Sequence, residues 1–293
     1  MLPLIKTLRP KQWIKNLFVA VPLMFGQKLT DPTSLLITAG AVALFCLVSG
    51  SVYVLNDLVD LEKDRAHPKK CKRPLPSGEL SEKTARTFVI VAVPVALALG
   101  YFLDPLYAAI LAGYFVNNLA YSFKVKNLPY VDVLSIALGF ILRVLAGAAA
   151  LNINPSLWVV ATTGLLAMFL GFGKRAHELS APPEQAEKQR AVLARYNAGL
   201  TRALLYALGV ASVGVYLAYT MSAHVAQLFT PAAAGKLPYT TVLALIAIPR
   251  FIQLAVTRPD AESPTEEMLR DPLFMGSFVV WLVLLAAILY GWL

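Results

Sequence analysis

Two cysteines and three histidines in 293 residues leave little material for soft-metal chemistry. Cys46 falls inside an apolar run and Cys71 in a basic loop, so neither a disulfide framework nor a thiolate metal site is expected. No glycine-rich phosphate loop of the G-x-x-x-x-G-K-[ST] type occurs, and no nucleophile stands beside an activating base. Charge is scarce as well. Only 15% of residues are Asp, Glu, Lys or Arg, against about a quarter in soluble domains, while 58% are hydrophobic. No cleavable leader is expected, because the early apolar run contains Pro22 and lacks a small-residue cleavage pattern.

What the chain has instead is a series of apolar runs long enough to cross about 30 Å of hydrocarbon. Nine are read as spans: 13–29, 34–56, 86–103, 105–122, 130–150, 156–173, 200–221, 237–257 and 273–292. The expected fold is therefore all-α and polytopic. With the N-terminus in the cytoplasm, 23 of the 26 Lys and Arg lie in or beside the inside segments, as the positive-inside rule requires. That asymmetry accounts for the net charge of +9 without nucleic acid, and it places the protein in the inner (plasma) membrane.

Against this background the segment Asn56-Asp57-Leu58-Val59-Asp60-Leu61-Glu62-Lys63-Asp64-Arg65 stands out, because charge at the end of an apolar span is costly. On a continuous helix Asn56, Asp60 and Asp64 share one face, with Asp57 at its margin. Carboxylates so close repel unless a cation lies between them, and an all-oxygen set suits Mg²⁺, which completes its shell with waters and substrate phosphate oxygens. A basic run follows: Arg65, His67, Lys69, Lys70, Lys72 and Arg73. Acid for a metal and base for phosphate together indicate a magnesium–diphosphate site on the cytoplasmic face. Pro74, Pro76 and Gly78 should hold the basic groups in a defined turn, and His67 should shape that loop.

Three further inside segments offer charge. Arg9-Pro10-Lys11-Gln12-Trp13-Ile14-Lys15-Asn16 precedes the first span, and Tyr121-Ser122-Phe123-Lys124-Val125-Lys126 closes the fourth. Gly171-Phe172-Gly173-Lys174-Arg175-Ala176-His177-Glu178 ends the sixth, where Lys174 and Arg175 are expected at a cavity mouth. Arg143 lies well inside an apolar helix, a place where arginine ordinarily faces a cavity or a paired acid; Asp132 is three turns away and is not its expected partner. The substrate-binding candidates are Lys15, Asn56, Arg65, Lys70, Arg73, Tyr121, Lys126, Arg143, Lys174 and Arg175. The catalytic candidates are Asp57, Asp60 and Asp64, with Asn56 joining them as metal ligands.

These motifs make the chain resemble the UbiA-type intramembrane transferase superfamily, whose members carry nine transmembrane helices and an N-D-x-x-D-x-x-x-D motif after the second. More narrowly, it resembles the decaprenyl-phosphate phosphoribosyltransferase branch. The resemblance rests on the segments at 9–16, 56–78 and 121–126, on Gly139-Phe140-Ile141-Leu142-Arg143-Val144-Leu145-Ala146-Gly147, on 174–179 and on 264–272. It implies a single UbiA-like domain over 1–293 with a cytoplasmic-side cavity. It further implies Mg²⁺-dependent transfer of a phosphoribosyl group from phosphoribosyl diphosphate to a polyprenyl phosphate. By the same resemblance Asn56, Asp57, Asp60 and Asp64 hold Mg²⁺ and the diphosphate.

Aromatic prenyltransferases of the superfamily carry a second Asp-rich motif after the sixth helix. Here Lys174-Arg175-Ala176-His177-Glu178 stands at that place, with two bases and one acid. The alternative activity, joining a polyprenyl diphosphate to an aromatic acceptor, fits the first motif and not this one. A transporter would be expected to show inverted repeats, and the acidic motif has no second copy. Crossings rich in small residues are compatible with packing within one chain or in an oligomer.

Overall fold

Three of the long helices begin at an Asp-Pro pair, and the reason is local. In Asp31-Pro32, Asp104-Pro105 and Asp271-Pro272 the proline takes the first helical position, where an N–H would have no partner. The aspartate before it accepts from the freed backbone N–H groups: Ser34 on Asp31 at 3.0 Å, Tyr107 on Asp104 at 2.8 Å, Phe274 on Asp271 at 2.9 Å. The Ser34 hydroxyl also donates to Asp31 and, with its backbone N–H, holds that carboxyl below the usual carboxylate range. In this computed structural model, residues 2–180, 191–257 and 264–292 are described, and they contain helices without strands.

The chain divides into two compact units. The first comprises Met1–Val125 with Gly139–Pro155. It contains α1 (Leu2–Thr7), a 3₁₀ helix (Pro10–Ala20), α2 (Val21–Phe25), α3 (Pro32–Val59), α4 (Leu61–Arg65), α5 (Glu82–Leu103) and α6 (Pro105–Phe123). The later part of α7 (Val131–Ala150) also belongs to it. Its core gathers Val19, Phe45, Val48, Ala96, Tyr107, Leu111, Tyr114 and Ala146. The buried Tyr107 hydroxyl is satisfied by donating to the Ala41 carbonyl at 2.7 Å. Gly147 is required here, because a Cβ would fall on the Val19 carbonyl; its absence lets the 3₁₀ helix and α7 meet backbone to backbone.

The second unit comprises Lys126–Leu138 and Ser156–Leu293. After the start of α7 come α8 (Leu157–Ser180), α9 (Ala198–Thr220), α10 (Ala223–Leu228), α11 (Pro231–Lys236), α12 (Thr241–Thr257), α13 (Pro264–Arg270) and α14 (Pro272–Leu289). Val133, Phe169, Phe172, Leu205, Phe251 and Ala255 form its core. Asp271 does double service, capping α14 and accepting from Arg250 of α12 at 2.6 Å. The short helices α10 and α11 occupy the expected outside loop near 222–236, and residues 181–190 of the loop read at 180–198 lie outside the described residues.

Among the described residues seven helical stretches are long and apolar enough to cross a bilayer. They fall on seven of the nine expected spans. The two others differ for readable reasons. The 105–122 run does form a helix, the 19-residue α6, but Asn117 and Asn118 dilute its hydropathy. The 13–29 run folds as an 11-residue 3₁₀ helix followed by the five-residue α2, so no single long helix covers it. Several of the most exposed large side chains are apolar, with Leu157 86% and Phe102 85% accessible, which suits hydrocarbon and not water.

Candidate active site

The acidic motif does not continue α3. The helix ends at Val59, Asp60 takes φ −96°, ψ 12°, and α4 restarts at Leu61. The helix expected to carry Asn56, Asp60 and Asp64 is thus interrupted at Asp60, while its bonds along that row persist: Asp60 N donates to Asn56 O at 3.0 Å and Asp64 N to Asp60 O at 2.8 Å. Two turns of regular helix would hold Asp57 and Asp64 about 10 Å apart along the axis. The side chains close that gap, because one guanidinium nitrogen reaches both: Arg73 Nη1 lies 3.2 Å from Asp57 Oδ1 and 2.6 Å from Asp64 Oδ2. Asp57, expected at the margin, is central.

Two more cations join. Arg9 Nη2 donates to Asp57 Oδ1 at 2.6 Å, and Lys70 Nζ lies 3.7 Å from Asp64 Oδ1. The carboxylates form the floor, 3% and 4% exposed, while Arg9, Arg73 and Lys70 form a rim 31–40% exposed. As bonded, the cluster sets three positive charges on two negative ones, leaving attraction for an anion.

Local structure explains how each cation is aimed. Arg9 sits in the left-handed region (φ 53°) immediately before Pro10, and its guanidinium lies 4.8 Å from the centre of the Tyr53 ring. Arg73 opens a turn in which Ser77 N donates to Arg73 O at 2.9 Å and Leu80 N to Pro74 O at 2.8 Å, with Gly78 at φ 84°. Leu75 and Leu80 pin that turn into a cluster with Val54, Leu61, Ala85 and Val89. His67 shapes the loop as expected: its Nδ1 accepts from the backbone N–H groups of Lys69 and Lys70. Asn56 is engaged by the Ser122 hydroxyl.

Arg65 is turned to the surface by Glu62 at 2.5 Å and Glu82 at 3.4 Å. Lys15 is exposed and Tyr121 half-buried. Arg143 is buried, and the bonds it makes go to neutral groups instead of an acid. Nε donates to Asn16 Oδ1, Nη1 to the Gly139 carbonyl and Nη2 to the Tyr114 hydroxyl, each at 2.8–2.9 Å. Asn16 in turn donates to Ser49 at 2.9 Å, so a polar thread runs through the apolar core of the first unit.

The second unit holds its own charge cluster. Arg175, expected at a cavity mouth, is 1% exposed and packed inside. Its Nε donates to Asp132 Oδ2 at 2.9 Å, and Nη1 pairs with Glu178. Tyr196 donates to the other Asp132 oxygen and accepts from Tyr130 N at 2.8 Å; burial and that bond to the carboxylate push the phenol above its usual range. Lys126 and Lys174 of this unit are half-buried. The sequence marks Arg9 only as part of a basic segment before the first span, and it does not single out Tyr53, Tyr196 or the Asp132–Arg175 pairing. Arg9 had a signal, a base immediately before a proline; the pairing joins positions 43 residues apart and leaves none.

A helical architecture of apolar spans, with acids and bases gathered at a span end, defines an integral membrane protein with a phosphate-type charge arrangement. The chain belongs to the UbiA prenyltransferase family, whose sequence pattern matches residues 16–278. It is 31% identical to the decaprenyl-phosphate phosphoribosyltransferase of Mycolicibacterium smegmatis, over 98% of this chain and 92% of that one. It is 28% identical to the protein of the same name from Corynebacterium glutamicum, over 98% and 86%. The fold matches a solved UbiA homolog from Archaeoglobus fulgidus bound to GPP and Mg²⁺, with TM-score 0.72 and 18% identity over 99% and 98% of the chains.

Proposed function

We propose that this protein transfers a 5-phosphoribosyl group from phosphoribosyl diphosphate to a polyprenyl phosphate and releases diphosphate, with residues 1–293 serving as one transferase domain. The observation that carries this reading is the pair of buried carboxylates, Asp57 and Asp64, ringed by Arg9, Lys70 and Arg73. Similarity to the mycobacterial and corynebacterial enzymes over nearly the whole chain supports it.

The donor set fits Mg²⁺. Among the described residues no three acidic, His or Cys side chains are grouped to hold a metal unaided. Mg²⁺ needs only one or two carboxylates when substrate phosphates and waters supply the rest. Both guanidinium contacts to Asp57 fall on Oδ1, so Oδ2 is outside them. Asp57 and Asp64 would hold the ion, with Asp60 and Asn56 adjoining; when bound it would neutralise charge on the diphosphate. Arg73, Arg9 and Lys70 take the remaining phosphate charge. Lys15 and Tyr121, and in the second unit Lys126 and Lys174, are further proposed phosphate-binding residues. Arg143 and Arg175 act by holding helices together.

In the reaction the bond from ribose C1 to the diphosphate oxygen breaks, and a phosphate oxygen of the lipid forms a new bond to C1 from the opposite face. The leaving group departs with the electron pair, and the rim cations stabilise its charge. The attacking oxygen is already anionic at neutral pH, so no general base is required. This accords with the missing nucleophile–base pair. The active site is proposed to face the cytoplasm, because the Lys and Arg of the loops concentrate on that side.

The test uses purified protein in detergent with polyprenyl phosphate and phosphoribosyl diphosphate labelled in the ribose. Label is expected in the lipid fraction with Mg²⁺ and is expected to disappear with chelator. Turnover of a prenyl diphosphate with an aromatic acid, and none of the labelled donor, would overturn the proposal.

A further inference from the structure

A single nitrogen of Arg73 is shared between two carboxylates that are otherwise proposed to hold a metal ion. That geometry has a consequence. A divalent cation bound by Asp57 and Asp64 would be placed against a guanidinium with which it strongly repels, so both cannot keep the same oxygens. Two adjacent carboxylates, each nearly buried, also stay ionised together only while a counter-charge lies beside them. We infer that Arg73 is an exchangeable counter-ion: it holds Asp57 and Asp64 in the ligand-free protein and yields them to a divalent cation, swinging to the incoming diphosphate.

Three features of the site favour exchange over a fixed structural pair. Arg73 is one-third exposed, unlike its partners, so its side chain has room to move. Its backbone is fixed independently of the ion pair by the Ser77–Arg73 and Leu80–Pro74 bonds and by buried Leu75. The side chain can therefore leave without unravelling the turn. Arg9 and Lys70 stand on the same rim and touch one carboxylate each, so the departing guanidinium remains among cations that a diphosphate would satisfy bidentately. No covalent step is involved: charge on the acids is conserved as one cation replaces another.

The inference rests on the metal–diphosphate reading of this site, and the experiment separates the two. Mn²⁺ binding to the full-length protein in detergent is measured by electron paramagnetic resonance, with no phosphate compound present, for wild type and for Arg73→Gln. Removing the competing cation is expected to tighten Mn²⁺ binding about tenfold, the scale of one opposing charge beside a carboxylate. In the presence of Mn²⁺, inorganic diphosphate is expected to bind more weakly to the variant than to wild type. Opposite signs for the two ligands are the signature.

Weaker Mn²⁺ binding in Arg73→Gln would overturn the exchange, because it would mean that the arginine builds the metal site. No Mn²⁺ binding to either protein would overturn the metal reading itself. A measurement on unmutated protein serves if the variant does not fold. Phenylglyoxal labelling of Arg73, followed by mass spectrometry, is expected to rise when Mn²⁺ is added and to fall when diphosphate follows. Labelling that ignores Mn²⁺ would sink the exchange.

Discussion

The two charge clusters use the same chemistry to opposite ends. In the first unit three cations share two carboxylates, and every cation is at least 31% exposed. In the second unit one arginine, 1% exposed, is flanked by two acids, Asp132 and Glu178, with Tyr196 closing the remaining carboxylate oxygen. The first cluster is rich in cations and open at its rim, so its members can change partners. The second is closed and saturated, so its value is mechanical. A basic residue at a span end therefore does not announce its role; the number of acids around it and the exposure of its tip decide.

The second cluster is most vulnerable at Arg175. Arg175→Ala leaves Asp132 and Glu178 buried without their cation, a loss of about 3–5 kcal/mol. A pronounced fall in melting temperature is expected, and an unchanged melt would show that the second cluster is not a tie. Leu75→Ala removes the anchor of the turn that carries Arg73. A loss of about 2–4 kcal/mol of stability is expected from the cavity, together with weaker diphosphate binding by calorimetry.

Smaller effects sharpen the distinction. Arg9 is 31% exposed and shares Asp57 with Arg73, so Arg9→Ala should cost only about 1 kcal/mol in stability and show itself mainly as raised KM for the phosphoribosyl donor. Arg65, paired on the surface with Glu62 and Glu82, provides the lower limit. Arg65→Ala should change stability and turnover by about 0.5 kcal/mol or less, and a large loss of turnover would return Arg65 to the site.

Much of this was readable in the chain, and the limits are physical. The apolar spans are legible because hydropathy is additive along a segment. Even there, hydropathy did not show that 13–29 is built from a 3₁₀ helix and the short α2, with Pro22 in the first turn of α2. The acids and bases of the site were legible as residue types at a span end. Their arrangement was not, because it depends on which cations reach back to the acids: Arg9 meets Asp57 from 48 residues away, and Arg73 meets Asp57 and Asp64 from 16 and 9. Gly78 and the prolines of the basic loop did forecast a fixed turn, since those residues act on their own backbone. Arg143 was legible only as costly and Arg175 only as a cation at a span end, because the partners that hold them, Asn16 and Asp132, lie 127 and 43 residues away.

The most direct test of the account is the rate of phosphoribosyl transfer by Asp64→Asn, measured with ribose-labelled donor in protein that melts within a few degrees of wild type. Asp64 is held by Arg73 and Lys70 at the floor of the proposed site. A fall of about 10²–10³-fold is expected, the scale of losing one well-placed charged group in an active site. A folded Asp64→Asn protein that transfers within a few-fold of wild type would contradict the assignment of the reaction to this cluster.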